Sequence, residues 1–252
     1  CALFLLCSPQ ALLAATLSIA NVTGSAGATA PVGLTIGTGG AQVAGLELYI
    51  TFDPTKFSAL PTVTKGTAVT ADTTFSSQVS ASGLITILAY PAVDGAVIGD
   101  GALATLNFPV KSDAVGTLPI TFNPAPLLST AGGAGIDTTY TNGSIAIPDT
   151  AAPTVSAFTI PATSTSSTIT GIGITATDSV GVASYNVSES ATAPTTGWST
   201  TVPSQYNVTT SLTVGVQKNV TLYGWAKDAA GNTASKSAVV AITLADTVAP
   251  TV

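Results

Sequence analysis

The sequence contains no histidine, no methionine and no arginine; its only cations are six lysines, and glutamate occurs only as Glu47 and Glu189. Without histidine the commonest general base, metal ligand and pH switch is missing. A net charge of −6 and a pI near 4.1 exclude a nucleic-acid groove, because phosphate contacts need clustered Lys or Arg. Cysteine is confined to Cys1 and Cys7, so no disulfide framework can hold the remainder together. Mean hydropathy is +0.53, but it comes from Ala and Val spread among Thr, Ser and Gly. After the first fifteen positions no apolar run approaches the roughly 20 residues of a spanning helix. The 252 residues suffice for two domains at about 100–200 each. A weakly charged chain rich in Thr, Ser and Gly suits an exported β protein better than a cytoplasmic enzyme.

Both ends carry information. Residues 1–15 run from an apolar stretch, Cys1 to Cys7, through Ser8 and Pro9 into small residues, and read as the end of a secretory signal peptide. A retained strand or anchor is the rival reading. Asp149-Thr150-Ala151-Ala152-Pro153-Thr154-Val155 returns 97 positions later (246 − 149) as Asp246-Thr247-Val248-Ala249-Pro250-Thr251-Val252. That interval is the length of one small β-sandwich, so residues 246–252 read as the start of a further repeat.

Between the ends the period is two. Leu46, Leu48, Ile50 and Phe52 alternate with Glu47, Tyr49 and Thr51, as in a strand with one buried face, and Asp53-Pro54 stops the run. Ala102, Ala104, Leu106, Phe108 and Val110 alternate with Leu103, Thr105, Asn107 and Pro109; Pro109 suggests an edge or a bulge. Further strands are expected near 17–22, 32–36, 84–90, 117–122 and 144–147. Past residue 149 they are expected near 155–160, 172–176, 183–188, 212–216, 220–226 and 238–244. No helical stripe of useful length competes, and the fold class is all-β.

The run Gly45 to Phe57, an alternating strand closed by Phe52-Asp53-Pro54, resembles the early strand of a cohesin domain. The Gly99-Asp100-Gly101 turn into residues 102–110 is similar to a later strand of that family, with Gly83 to Tyr90 and Asn142-Gly143-Ser144-Ile145 in the expected order. The resemblance covers residues 16–148. It implies a nine-stranded jelly-roll β-sandwich that binds dockerin modules across one sheet face, without identifying contact residues. Residues 149–245 resemble a bacterial immunoglobulin-like repeat: the Asp-Thr-x-Ala-Pro junction, Thr177 to Val182, and Leu222 to Asn232 carry the likeness. It implies a second, seven-stranded immunoglobulin-like β-sandwich serving as a stalk or spacer.

The resemblance also implies chemistry. In some such arrays acids at the junctions bind calcium and stiffen the rod, and the matching positions are Asp149, Asp178 and Asp228, with Asp246 in the junction role for a next copy. Calcium takes several hard oxygen ligands, which carboxylates and carbonyls supply. The bland alternative is that Asp228 and Asn232 shape a turn and Asp178 caps a loop. No other cofactor is expected. Asp53, Asp94, Asp100 and Asp113 are the candidates for a paired-carboxylate active site, but each sits in a turn or short polar loop, where Asp commonly closes the turn itself. Trp225 is expected to pack on the sandwich and Trp198 to cover an edge or loop. Five Asn-x-Ser/Thr triplets occur, at Asn21, Asn142, Asn186, Asn207 and Asn219; in a chain so rich in Ser and Thr several arise by chance, and they matter only in a host that glycosylates exported proteins.

The expectation is an extracellular or cell-surface, non-catalytic modular protein. A cohesin-like module would recognise a protein partner, either dockerin-like or neighbouring copies of itself, and an immunoglobulin-like module would space it. Two rivals stay open: a structural subunit of an extracellular filament or surface layer, and a carbohydrate-binding appendage of a larger enzyme that takes a cell-surface glycan.

Overall fold

Most of the alternating apolar segments become strands in residues 14–246, which the computed structural model describes. The chain divides into two compact units, the division falling between Pro148 and Asp149. The expected signal segment lies, but for Ala14 and Ala15, outside the described residues, as do residues 247–252 of the further repeat. Among the described residues no helix is long and apolar enough to cross a membrane.

The first unit contains β1 (Ala15–Ile19), β2 (Asn21–Thr23), β3 (Thr29–Gly37), β4 (Gly45–Thr51), β5 (Thr62–Lys65) and β6 (Thr73–Ser80). It continues with β7 (Leu84–Pro91), β8 (Gly101–Pro109), β9 (Gly116–Phe122), β10 (Leu127–Ser129), β11 (Thr138–Thr141) and β12 (Gly143–Ile147). One sheet has the order β11-β1-β3-β8-β5. The other runs β2-β12-β9-β4-β7-β6, with β10 following β9 along the free side of β4. The pairs β1/β2, β9/β10 and β11/β12 are each one strand in two parts, so nine paths make the two layers of a jelly roll. β1 and β2 break at Ala20 because the chain passes there from one sheet to the other. Gly143 lies against that crossing: a Cβ on it would stand 2.5 Å from the Ala20 carbonyl oxygen and 2.5 Å from the Ile19 side chain.

The inward rows form one apolar cluster. Leu48, Ile50, Ile85, Ile87, Leu106, Phe108, Ile120 and Ile145 are wholly buried. The aromatic-Asp-Pro turn serves this core. Asp53 caps the short 3-10 turn Pro54–Lys56 by accepting from the Thr55 backbone N–H at 2.9 Å and its hydroxyl at 2.7 Å. Phe57 thereby folds back onto Phe52 and Phe108, with ring centroids 4.9–5.6 Å apart.

Several expectations need correction. Pro109 does not mark an edge: β8 is an interior strand, and Pro109 is its last residue. The bulge lies earlier, where Leu34 pairs Ala104 but Thr35 pairs Ala102, so Leu103 is the extra residue. It reverses the local alternation, burying Leu103 and exposing Ala102. The strand expected at 17–22 is the broken pair just described.

The second unit comprises β13 (Thr154–Thr159), β14 (Thr163–Ser164), β15 (Thr168–Thr170), β16 (Gly173–Thr177), β17 (Val182–Ser188), β18 (Gln205–Asn207), β19 (Lys218–Asp228) and β20 (Thr233–Ile242). A four-stranded sheet, β14-β20-β19-β17, is accompanied by the pairs β13-β16 and β15-β18. The expected strand at 212–216 is not one; only an isolated bridge, Val214 to Leu244, forms there. Phe158, Ile169, Ile174, Val187, Val220, Leu222, Val240 and Ile242 make a smaller core. Phe158 packs against Gly224, where a Cβ would come within 2.3 Å of the ring. Trp225 is buried on the opposite face and donates its indole N–H to Ser188 Oγ at 3.0 Å. Trp198 lies in the 194–199 segment, with the Lys227 ammonium 4.3 Å from its ring centre.

Candidate functional site

Alternation gives β4 and β7 two faces each. Leu46, Leu48 and Ile50 face inward opposite Ala89, Ile87 and Ile85. Their intervening residues, Glu47, Tyr49, Thr86, Leu88 and Tyr90, must then point outward. β10 and β6 extend the same rows. Leu127, Glu47, Leu88 and Ser76 lie side by side across four strands, and beside them Ser129 pairs with Gly45 and Tyr90 with Thr74. Leu127 is 60% exposed, Tyr90 52% and Leu88 37%, apolar surface on a face that no other strand covers among the described residues. Between these side chains runs a shallow groove of about 270 Å³, floored by Gly45, Leu46, Ala89 and Leu128. A second groove of about 340 Å³ continues from Tyr90 and Ser129 toward Asp94 and Gly95.

The charges of this face have one sign. Glu47 lies in the middle row and Asp94 lines the second groove. The lysines of this unit are elsewhere: Lys65 is on β5 in the other sheet, and Lys56 and Lys111 meet through a backbone hydrogen bond beyond the end of β8. The Tyr49 hydroxyl donates to the Glu47 carboxylate. That bond, then partial desolvation, then the neighbouring negative charge, raise the phenol above its ordinary range. Glu47 is thus held in place by the Tyr49 hydroxyl on an otherwise uncharged floor.

The second unit gathers Asp149, Asp178 and Asp228, each offering a carboxylate oxygen within 4.8 Å of the others. Asp228 is only 2% exposed because it ends the inward row Val220, Leu222, Gly224, Ala226 of β19. Burial pushes its carboxyl up, but hydrogen bonds from Asn232, Gly231 and Ala230 outweigh this and hold it below the usual range. Asn232 ties two of the acids together, donating to Asp228 Oδ2 at 2.7 Å and to the Asp149 carbonyl at 3.2 Å. Asp178 Oδ1 accepts from the N–H groups of Val180 and Gly181 at 2.8 and 2.9 Å, and Asp149 Oδ1 from Ala151 at 3.0 Å. These partners are amides, none a full cation.

Asp53 caps its own 3-10 turn, whereas Asp100 accepts from the N–H of Thr38, 62 positions away, and so ties two loops together; both carboxyls are lowered chiefly by those hydrogen bonds. Of the asparagine triplets, Asn186 is buried with its amide donated to Thr196 O at 2.9 Å, and Asn142 accepts from the Phe122 N–H. A groove of about 440 Å³ in the second unit is lined mainly by the hydroxyls of β14, β15 and their neighbours and presents no aromatic ring to a sugar.

Residues 15–147 match the Cohesin domain family, more than half of the chain. The chain belongs to that family. Solved structures similar to it include the sixth cohesin of Acetivibrio cellulolyticus scaffoldin B, determined in complex with a dockerin (24% identity, 53% of this chain and 99% of that one, TM-score 0.49). Others are the cohesin CaCohA2 of Clostridium acetobutylicum (27% identity, 55% and 94%, TM-score 0.46) and a non-cellulosomal cohesin of the archaeon Archaeoglobus fulgidus (18% identity, 54% and 91%, TM-score 0.45). No curated protein matches the chain.

Two features had different legibility. For the apolar outer row only a strand near 84–90 was expected, although a signal was there: Leu84, Leu88 and Tyr90 interleave with Ile85, Ile87 and Ala89, so both faces are apolar. Glu189 was missed. It accepts from the backbone and hydroxyl groups of Thr209 and Thr210 and from the Tyr206 hydroxyl, and no local motif announces contacts seventeen to twenty-one positions away.

Proposed function

We propose that the first unit is a non-catalytic protein-recognition module of an extracellular assembly, and that it seats a dockerin-type partner on the outward face of β10, β4, β7 and β6. Membership of the cohesin family supports the partner class. The observation that carries the choice of face is the exposed Leu127, Leu88 and Tyr90 around Glu47, with no lysine on that face. Apolar anchors set in a polar surround are the usual centre of a protein interface. The test is calorimetric titration of the full chain with purified dockerin modules. Leu88→Glu and Leu127→Glu should each weaken binding by roughly 30-fold or more, about 2 kcal/mol, with the melting temperature unchanged. Binding that survives both substitutions would place the partner elsewhere.

The second unit reads as an immunoglobulin-like spacer whose stiffness is set by calcium at Asp149, Asp178 and Asp228. The supporting observation is the 4.8 Å grouping of three carboxylates whose partners are amides only. Hard carboxylate and carbonyl oxygens of this kind suit calcium. Calcium in excess over a chelator should raise the melting temperature of this unit, at roughly 4–8 °C per kcal/mol of binding linkage. Asp228→Asn should remove the rise. Identical melting with calcium and with chelator would dismiss the metal and leave a turn.

A further inference from the structure

We propose that two copies of this chain associate through β6, edge to edge, into one continuous sheet. β6 ends its sheet, and its eight residues pair with β7 from Thr73↔Pro91 to Ser80↔Leu84 without a register shift. Its sequence, Thr-Thr-Phe-Ser-Ser-Gln-Val-Ser, has no charge, no proline and no glycine. Native edges are normally blunted by shortness, charge, proline or a bulge. The other terminal strands of this unit obey: β2 has three residues, β11 four, and β5 four including Lys65. β6 alone is long, straight and unprotected, with every second N–H and C=O directed away from β7.

The occupant follows from the pattern of its faces. Antiparallel neighbours present directly opposed side chains to the same face, so a β6–β6 pair must match odd positions with odd. A twofold axis at Ser77 sets Phe75 against Val79 of the partner copy, and Val79 against Phe75. Both are half-buried and already packed on the core, and the pairing covers what they still expose. On the outward side Thr74 meets Ser80 and Ser76 meets Gln78, small hydroxyl and amide partners. Because the edge is neutral, the net negative charge of the chain places no like charges within the seam. A single strand pair is smaller than the roughly 1,200 Å² of a stable interface, so the association is weak and depends on concentration. The axis stands perpendicular to the sheet, and both outward grooves therefore face the same way. They lie five strand spacings apart, about 24 Å, close enough for one bivalent partner to engage both.

Sedimentation velocity of the full chain under reducing conditions, from about 10 µM to about 1 mM, should show a dimer growing in with concentration. Ser77→Lys opposes two charges on the axis and should weaken the dimer at least tenfold while leaving the melting temperature unchanged. Ser77→Cys, oxidised and mapped by mass spectrometry, should yield a disulfide joining position 77 of two copies, since directly opposed Cα atoms lie within disulfide range. Ser76→Cys should not cross-link in the same way. A chain that stays monomeric throughout, a dimer indifferent to Ser77→Lys, or cross-linking at 76 in place of 77 would each overturn the proposal. The cross-link mapping decides the matter even if Ser77→Lys disturbs folding.

Discussion

The two units answer the same composition differently. The first fills its interior with aliphatic side chains and a cluster of three phenylalanines, and none of its acids is buried. The second has far fewer buried apolar residues and sets carboxylates where side chains run short. Asp228 closes the inward row of β19, and Glu189 gathers the 206–210 segment. A thin apolar core leaves loop geometry to be fixed by hydrogen bonds, which are directional and specify one arrangement. The first unit should therefore be sensitive to lost volume, and the second to both lost volume and lost charge.

Core truncation is the largest expected effect. Phe108→Ala removes the ring that touches both Phe52 and Phe57 and should cost about 3–5 kcal/mol; Leu222→Ala should cost about 2–5 kcal/mol. Both tryptophans lie in the second unit, so indole fluorescence reports that unit alone. Phe108→Ala should lower the thermal transition seen by circular dichroism and leave the fluorescence transition in place, whereas Leu222→Ala should shift fluorescence. A fluorescence transition that moves with Phe108→Ala would show that the units unfold together, and the contrast between them would fall.

What could be read in the sequence follows the same division. The alternation at 46–52 is legible because one face is wholly apolar, and Phe52-Asp53-Pro54 is legible because a proline and a capping acid act within three residues. The bulge at Leu103 was not, since a single inserted residue looks like ordinary variation until the strand opposite counts the partners. β6 escaped because Ser76, Ser77 and Gln78 blur its two faces; it is a strand by virtue of β7 beside it. The segment 212–216 erred in the other direction, with alternating Leu212, Val214 and Val216 but no neighbour to complete a ladder. At the outward face the residues were visible and their exposure was not, because burial depends on which layer covers a sheet.

Acid probes the carboxylate side of the comparison. Burial raises the Glu189 carboxyl, but bonds from Thr210 and Thr209 outweigh it and leave the group below its ordinary value. A carboxyl lowered in the folded state contributes stability that is fully present above its unfolded value, about 4.3, and is lost as pH falls through the lower folded one. Protection of the Thr209 and Thr210 amides, relative to their intrinsic exchange at each pH, should therefore fall below about pH 4.3. In Glu189→Gln that protection should already be low at neutral pH and change little in acid. Protection that persists unchanged in Glu189→Gln would assign the 206–210 segment to apolar packing, and the second unit would then resemble the first.

The smallest effect tests whether surface contacts matter where the core is thin. Lys227 and Trp225 alternate with the inward row of β19, and the Lys227 ammonium lies over the Trp198 ring. An exposed cation–π contact contributes about 0.5–1 kcal/mol. Lys227→Gln keeps much of the aliphatic stem and removes the charge, so its cost isolates the electrostatic part from packing. The fluorescence transition should fall by roughly 2–8 °C for a unit of this size. Lys236, whose ammonium donates to the Ser156 carbonyl at 2.7 Å, serves as the comparison. Its bond is made to a backbone oxygen rather than to a ring, so Lys236→Gln should leave the Trp198 emission maximum unmoved while Lys227→Gln shifts it. Equal spectral changes in both variants would mean that the ring senses the strand as a whole and not the cation above it.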